Sequence, residues 1–146
     1  MNGPLIIYPM NSVTTNIVNS IIHYLGRSEN ESGGLIGSSN GSTVDAFFFD
    51  PGIECSAKEY NPDIELLQKQ IMIWDAENIE FKGIIHSHRD ERFLSNKDVY
   101  MARKILNVNS LTSILMPVYF MNNKSIFWYS VGMDNVKSLS FEIITE

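Results

Sequence analysis

Phe81-Lys82-Gly83-Ile84-Ile85-His86-Ser87-His88, with Ser95-Asn96-Lys97-Asp98 a short loop beyond it, is the stretch on which the reading of this chain turns. Gly83 to Ile85 reads as the end of a buried strand. Side chains in a strand alternate between faces, so His86 and His88 point one way and Ser87 the other, toward backbone or packing. Two imidazoles on one face, two residues apart, can reach the same metal ion. A third ligand must arrive from elsewhere. Asp98, just inside an expected helix start, is the best-placed candidate; Asp90, nearer in sequence, and Glu59 are rival acids. Two histidines and a carboxylate make three protein ligands and leave the fourth tetrahedral position for water, as in catalytic rather than structural zinc sites.

Each motif also has a plainer reading. A His-x-His pair can be no more than a polar strand end. Ser95-x-x-Asp98 fits a capping box, in which the serine caps a helix and the acid at the third helical position answers it. The two readings of the second motif are compatible, because a capping Ser95 would hold the turn that aims Asp98.

Upstream, Glu31-Ser32-Gly33-Gly34-Leu35-Ile36-Gly37 sets an acid ahead of a glycine-rich apolar run. On its own residues Glu31, close to Glu29 in a polar segment, reads as a solvated loop acid. With this third element in place, the order of motifs resembles the JAMM metalloproteases, the catalytically competent branch of the MPN domain superfamily. That family carries a Glu ahead of a Gly-Leu-x-Gly strand, then His-x-His, then Ser-x-x-Asp. The resemblance runs from about Ser12 to Tyr129. It implies zinc on His86, His88 and Asp98, with Glu31 as general base and Ser95 as catalytic serine. It further implies an α+β fold of the MPN, cytidine-deaminase-like kind: a curved, mostly antiparallel sheet flanked by helices.

By resemblance to small stand-alone members, the expected activity is zinc-dependent hydrolysis of a peptide or isopeptide bond. The expected substrate is a ubiquitin-like or sulfur-carrier protein, cut after its C-terminal Gly-Gly; a peptide or small amide is the other option within the enzyme class. From a different class, a metal-free MPN scaffold would bind protein partners without catalysis, and zinc content separates the two. Two features depart from the family pattern. The loop between His88 and Ser95 has six residues, one fewer than is usual. Arg89 stands where many members carry proline; it and Arg92 read as solvated loop charges, the other reading being contact with an acidic or carboxylate part of a substrate. The chain has no room for the long insertions with which eukaryotic members grip polyubiquitin, so linkage-specific deubiquitination is not implied.

Composition sets the outer bounds. At 146 residues the chain suits one domain, taken as residues 1–146, with a substantial core. A net charge of −6 and a pI of about 5.0 argue against a nucleic-acid footprint. Cys55 is the only cysteine, so no internal disulfide forms and the reducing cytoplasm is the expected compartment. Cys55 itself reads as structural. No stretch approaches the roughly 20 apolar residues that span a membrane, and Met1 to Pro4 lack the basic start of a secretory signal. Oligomeric state is not legible.

The remaining elements follow from periodicity. Leu5 to Tyr8 reads as a strand. Asn11 or Ser12 is expected to cap a helix with Val13, Ile17, Ile21 and Leu25 inward, closed by Gly26; His23 lies beside that stripe as a surface or packed residue. Gly33 to Gly37 and Thr43 to Phe49 form a hairpin around Asn40-Gly41. Ile53 to Tyr60 is expected as a strand. Asn61-Pro62-Asp63 opens a helix to about Asn78, with Ile64, Leu67, Ile71 and Trp74 buried. A helix from Ser95 to about Leu106 carries Val99, Ala102 and Leu106 inward. Three strands follow: Thr112 to Phe120, Ser125 to Val131 and Ser138 to Thr145.

Overall fold

A computed structural model describes residues 11–56, 58–90 and 93–145. The expected strand from Leu5 to Tyr8 lies outside them. Three helices are formed, α1 (Thr15–Gly26), α2 (Ile64–Ala76) and α3 (Asn96–Val108). The first strands are β1 (Ser12–Thr14), β2 (Gly33–Ser38), β3 (Thr43–Val44), β4 (Ala46–Asp50) and β5 (Glu80–His88). After α3 come β6 (Ser113–Leu115), β7 (Val118–Phe120), β8 (Ser125–Gly132), β9 (Val136–Leu139) and β10 (Glu142–Ile144). The main sheet runs β4-β2-β5-β6-β8-β7, with β9 on β8 and a second contact between β5 and β7. Its pairings are antiparallel except where β5 meets β6 and β7. The fold is therefore α+β with a mostly antiparallel curved sheet, as expected.

Strand periodicity divides the core. Leu35 and Ile84 face α2 and α3, packing with Leu67, Trp74, Ala102 and Leu106. Their chain neighbours Ile36 and Ile85 face the other way, against Ile21 and Leu25 of α1 and Tyr119 of β7. Both faces of β2 and β5 are thus covered, which explains why Leu35-Ile36 and Ile84-Ile85 stand as consecutive apolar pairs rather than alternating with polar residues. Gly83 has a steric reason: a Cβ there would lie 1.8 Å from the Leu115 carbonyl oxygen, where β6 crosses close to β5.

Topology gathers the functional motifs at one end of the sheet. A parallel neighbour requires a crossover that returns to the starting end. Because β6 is parallel to β5 (Gly83 opposite Leu115), α3 must begin near the C-terminal end of β5. On the other side β2 is antiparallel, with Gly33 opposite His86, so the start of β2 lies at that same end. Gly33 is also opposite Asp50, which brings the end of β4 there too.

Several expected boundaries are corrected. Residues 12–14 are not the start of the first helix but β1, which pairs in parallel with β3 and β10 in a small second sheet. Thr14 is the true N-cap of α1, accepting from Ile17 N–H. The Asn40-Gly41 turn forms, with Gly41 at φ +80°, but the returning strand breaks at Asp45. The Asp45 carboxylate is engaged there by the Ser39 N–H at 2.8 Å and the Ser39 hydroxyl. Among its described residues, Ile53 to Tyr60 is not a strand; it carries a single bridge between Ser56 and Glu59. Pro51-Gly52 and Glu54, the last two at φ +80° and +51°, turn the chain away from extended geometry.

Asp63, rather than Asn61, caps α2 by accepting from Leu66 N–H at 3.2 Å. Ile64 is consequently exposed, and Ile71 and Val99 are half-buried. The strand expected over 112–120 divides at Met116-Pro117, where proline supplies no N–H to a ladder. The last expected strand also divides: β9 joins the main sheet and β10 the small one. Among the described residues no helix is long and apolar enough to cross a membrane.

Candidate metal centre

His86 and His88 stand at the last turns of β5's alternation, on the face that Ile84 presents to α3, and both are at least 95% buried. Ser87 points to the other face, where its Oγ accepts from Ser32 N–H at 2.9 Å, so it serves the backbone as expected. Asp98 occupies the third position of α3. Ser95 Oγ accepts from Asp98 N–H at 3.1 Å and Asp98 Oδ2 accepts from Ser95 N–H at 2.9 Å, completing the capping box. Despite the shortened loop, this first turn brings Asp98 onto the histidines.

The three ligand atoms converge. His86 Nε2 lies 3.0 Å from His88 Nε2, and Asp98 Oδ2 lies 3.3 Å from the first and 3.6 Å from the second. A tetrahedral zinc with ligands at about 2.0–2.1 Å separates them by about 3.3 Å. The observed spacings bracket that edge, so this donor set fits the ion. Burial pushes the Asp98 carboxyl up. Hydrogen bonds to His86 and His88, the charge of His86 and the Ser95 N–H outweigh it and hold the group well below the usual carboxylate range. An ionised carboxylate is the form a metal ligand requires.

The rival acids do not join this cluster. Glu59 is ion-paired with Lys97, and Asp90 is exposed on the loop after β5. His23, likewise distant, lies on the exposed side of α1 within 3.4 Å of the Arg27 guanidinium. Arg89 is exposed, as expected, and Arg92 is outside the described residues.

Glu31 departs most from what its local sequence suggested. It is 2% exposed, not a solvated loop acid. It precedes Leu35 by two strand periods and so keeps the parity of the histidine-bearing face. Its Oε2 accepts from the Arg89 N–H at 2.9 Å, immediately after His88, and its own N–H donates to Ser56 carbonyl at 2.9 Å. Glu31, His86, His88, Ser95 and Asp98 all line one cleft of about 450 Å³.

Sequence reasoning missed the opposite wall. Residues 51–62 contribute Glu59, Tyr60 and Pro62 to the cleft. Asp50, fully buried, accepts from Tyr60 O–H at 2.6 Å, Asp63 N–H at 2.9 Å and Gly52 N–H at 2.8 Å. Only Asp50-Pro51-Gly52 hinted at this, and it reads as an ordinary turn. Phe120 of β7 packs beside His88, ring centroids 6.3 Å apart, with exposed Phe93 edge-on to it and exposed Phe127 tilted against it. Cys55 is half-buried, its sulfur accepting from Asn61 N–H at 3.3 Å, in keeping with a structural thiol.

No family model matches the sequence, and no curated protein does. Solved structures do match the fold. Protein DSY2949 from Desulfitobacterium hafniense superposes with a TM-score of 0.72 at 15% identity, over 92% of this chain and 93% of that one. AF2198, a JAB1/MPN domain protein from Archaeoglobus fulgidus, gives 0.56 at 12% identity, over 92% and 97%. A structure described as JAMM, a metalloprotease-like zinc site in the proteasome and signalosome, gives 0.55 at 13% identity, over 93% and 99%. At these identities the likeness establishes a shared fold, that of JAB1/MPN domain proteins.

Proposed function

We propose that this chain is a zinc-dependent hydrolase of peptide or isopeptide bonds. The observation that carries the reading is the convergence of His86, His88 and Asp98 in a cleft that also holds the buried Glu31. Zinc on those three ligands would supply a Lewis acid and a bound water whose pKa falls from about 15.7 toward about 7. Glu31 is the general base, taking a proton from the attacking water and passing it to the leaving amine. Its carboxylate is held in place for that work by the Arg89 N–H. Ser95 uses its oxygen as an acceptor for Asp98 N–H, so its O–H can still donate to the oxyanion that forms on the substrate carbonyl.

The substrate class rests on the resemblance to small stand-alone JAMM members: a ubiquitin-like or sulfur-carrier protein cut at its C-terminal Gly-Gly junction, in the cytoplasm. The test is zinc content of the purified chain, followed by cleavage of carrier fusions joined through Gly-Gly. Stoichiometric zinc with cleavage supports the reading; zinc without cleavage of any such fusion removes the substrate class. A metal-free scaffold is the second reading, favoured by one observation: the two imidazoles and Asp98 already lie within contact of one another. A chain that takes up no zinc, even after incubation with it, would support that alternative.

A further inference from the structure

In metal sites the ring nitrogen of a ligand histidine that does not face the ion almost always donates to a carboxylate, carbonyl or water, which fixes the ring plane. His86 lacks such a tie: its Nδ1 is buried and has no hydrogen-bond partner among the described residues. What lies against its ring is Tyr60, nearly parallel at 16° with centroids 6.4 Å apart. Tyr60 is itself immobilised. It is 7% exposed, and its hydroxyl donates to the fully buried Asp50 at 2.6 Å. Beneath the ring is Gly33, where a Cβ would come within 2.6 Å of it and 2.4 Å of Ile85 carbonyl oxygen. Gly33 is also the register partner of both Asp50 and His86.

We infer that Tyr60, tethered by Asp50 and seated on Gly33, is a positioning residue that orients the His86 imidazole by ring packing where a hydrogen bond to Nδ1 would otherwise do so. The inference rests on the metal-centre reading above. It assigns a function to the loop 51–62, which delivers Tyr60, and to the buried acid at the end of β4.

Zinc affinity, measured by competition with a chromophoric chelator, tests it, alongside the visible spectrum of the cobalt(II)-loaded chain. Tyr60→Leu removes ring and tether and should weaken zinc binding about 10- to 100-fold, the usual scale for outer-shell partners. Its cobalt spectrum should shift as ligand geometry loosens. Tyr60→Phe keeps the ring and drops only the tether, so it should lose a measurable but much smaller part of the affinity, about threefold relative to wild type and well short of the 10- to 100-fold scale of a full outer-shell loss. A folded Tyr60→Leu with wild-type zinc affinity and an unchanged cobalt spectrum overturns the inference. Should Tyr60→Leu not fold, Tyr60→Phe and Asp50→Asn carry the test, each expected to lose about threefold in affinity; no loss in either overturns it. Wild type that takes up no zinc overturns the metal-centre reading and this inference together. Zinc in the wild type with unaltered Tyr60 variants overturns this inference alone.

Discussion

One wall of the cleft carries His86, His88, Ser95 and Asp98 on a strand end and a helix start; the other is the segment 51–62, whose described residues hold nothing more regular than one bridge. The first wall is fixed by ladder register and by a helix cap, two devices that repeat along the backbone. The second depends on one buried side chain, Asp50, gathering donors from residues 52, 60 and 63. Glu31 belongs to both, donating its N–H to Ser56 in the loop and accepting from Arg89 on the strand side. On the proposed reading, a base at the junction of a regular wall and an irregular one would be aimed by the first while the second accommodates substrate.

If the walls divide the work in this way, substitutions should sort by wall. The largest effect is expected from His88→Ala, which removes a ligand: zinc should fall from about one per chain to near zero by elemental analysis, and hydrolysis with it. Retained stoichiometric zinc in that variant would break the assignment of the strand wall. Glu31→Gln should keep the metal and slow hydrolysis about 100- to 10,000-fold, the scale of general base catalysis. Turnover equal to wild type would show that the junction residue is not the base.

Ser95→Ala strikes the rigid wall twice. Losing the cap should lower stability by about 0.5–2 kcal/mol in denaturant titration. Losing the oxyanion donor should lower kcat about 100-fold or more. Loss of stability with full turnover would leave Ser95 as a cap only. The smallest effect belongs to the rim of the loop wall. Lys97 and Glu59 form an ion pair with side chains 65% and 48% exposed. Such pairs contribute about 0–1 kcal/mol, so Lys97→Ala should leave zinc content and melting temperature nearly unchanged. A large loss there would mean that the loop is held at its rim rather than by Asp50.

The same division decides what was legible in the sequence. The strand wall could be read because its information is local: alternation places His86 with His88, and Ser95-x-x-Asp98 announces its own cap. The curved, mostly antiparallel sheet was expected from the family resemblance that these motifs carry, not from their local patterns. Glu31 was only half legible. Parity with Leu35 would have turned it inward, but its burial depends on contacts with residues 56 and 89, distant in sequence. The loop wall was hidden because Asp50 and Tyr60 make a pair only once Pro51-Gly52 and Glu54 have bent the chain, and a short run bounded by Ile53 and Tyr60 can pass for a strand. β1 was misread as helix for a related reason. Its partners are β3 and β10, the latter about 130 residues away, and nothing nearby signals them.

One atom gives the rigid wall a further property. Asp98 Oδ2 accepts the Ser95 N–H that closes the start of α3, and the same oxygen is the one nearest both imidazoles. Fraying of that first turn would therefore also draw this oxygen away from the histidines. By linkage, any ion held there raises the free energy of opening the helix end, by RT times the logarithm of one plus its concentration over its dissociation constant. Helix-end order and occupancy by an ion would therefore rise and fall together.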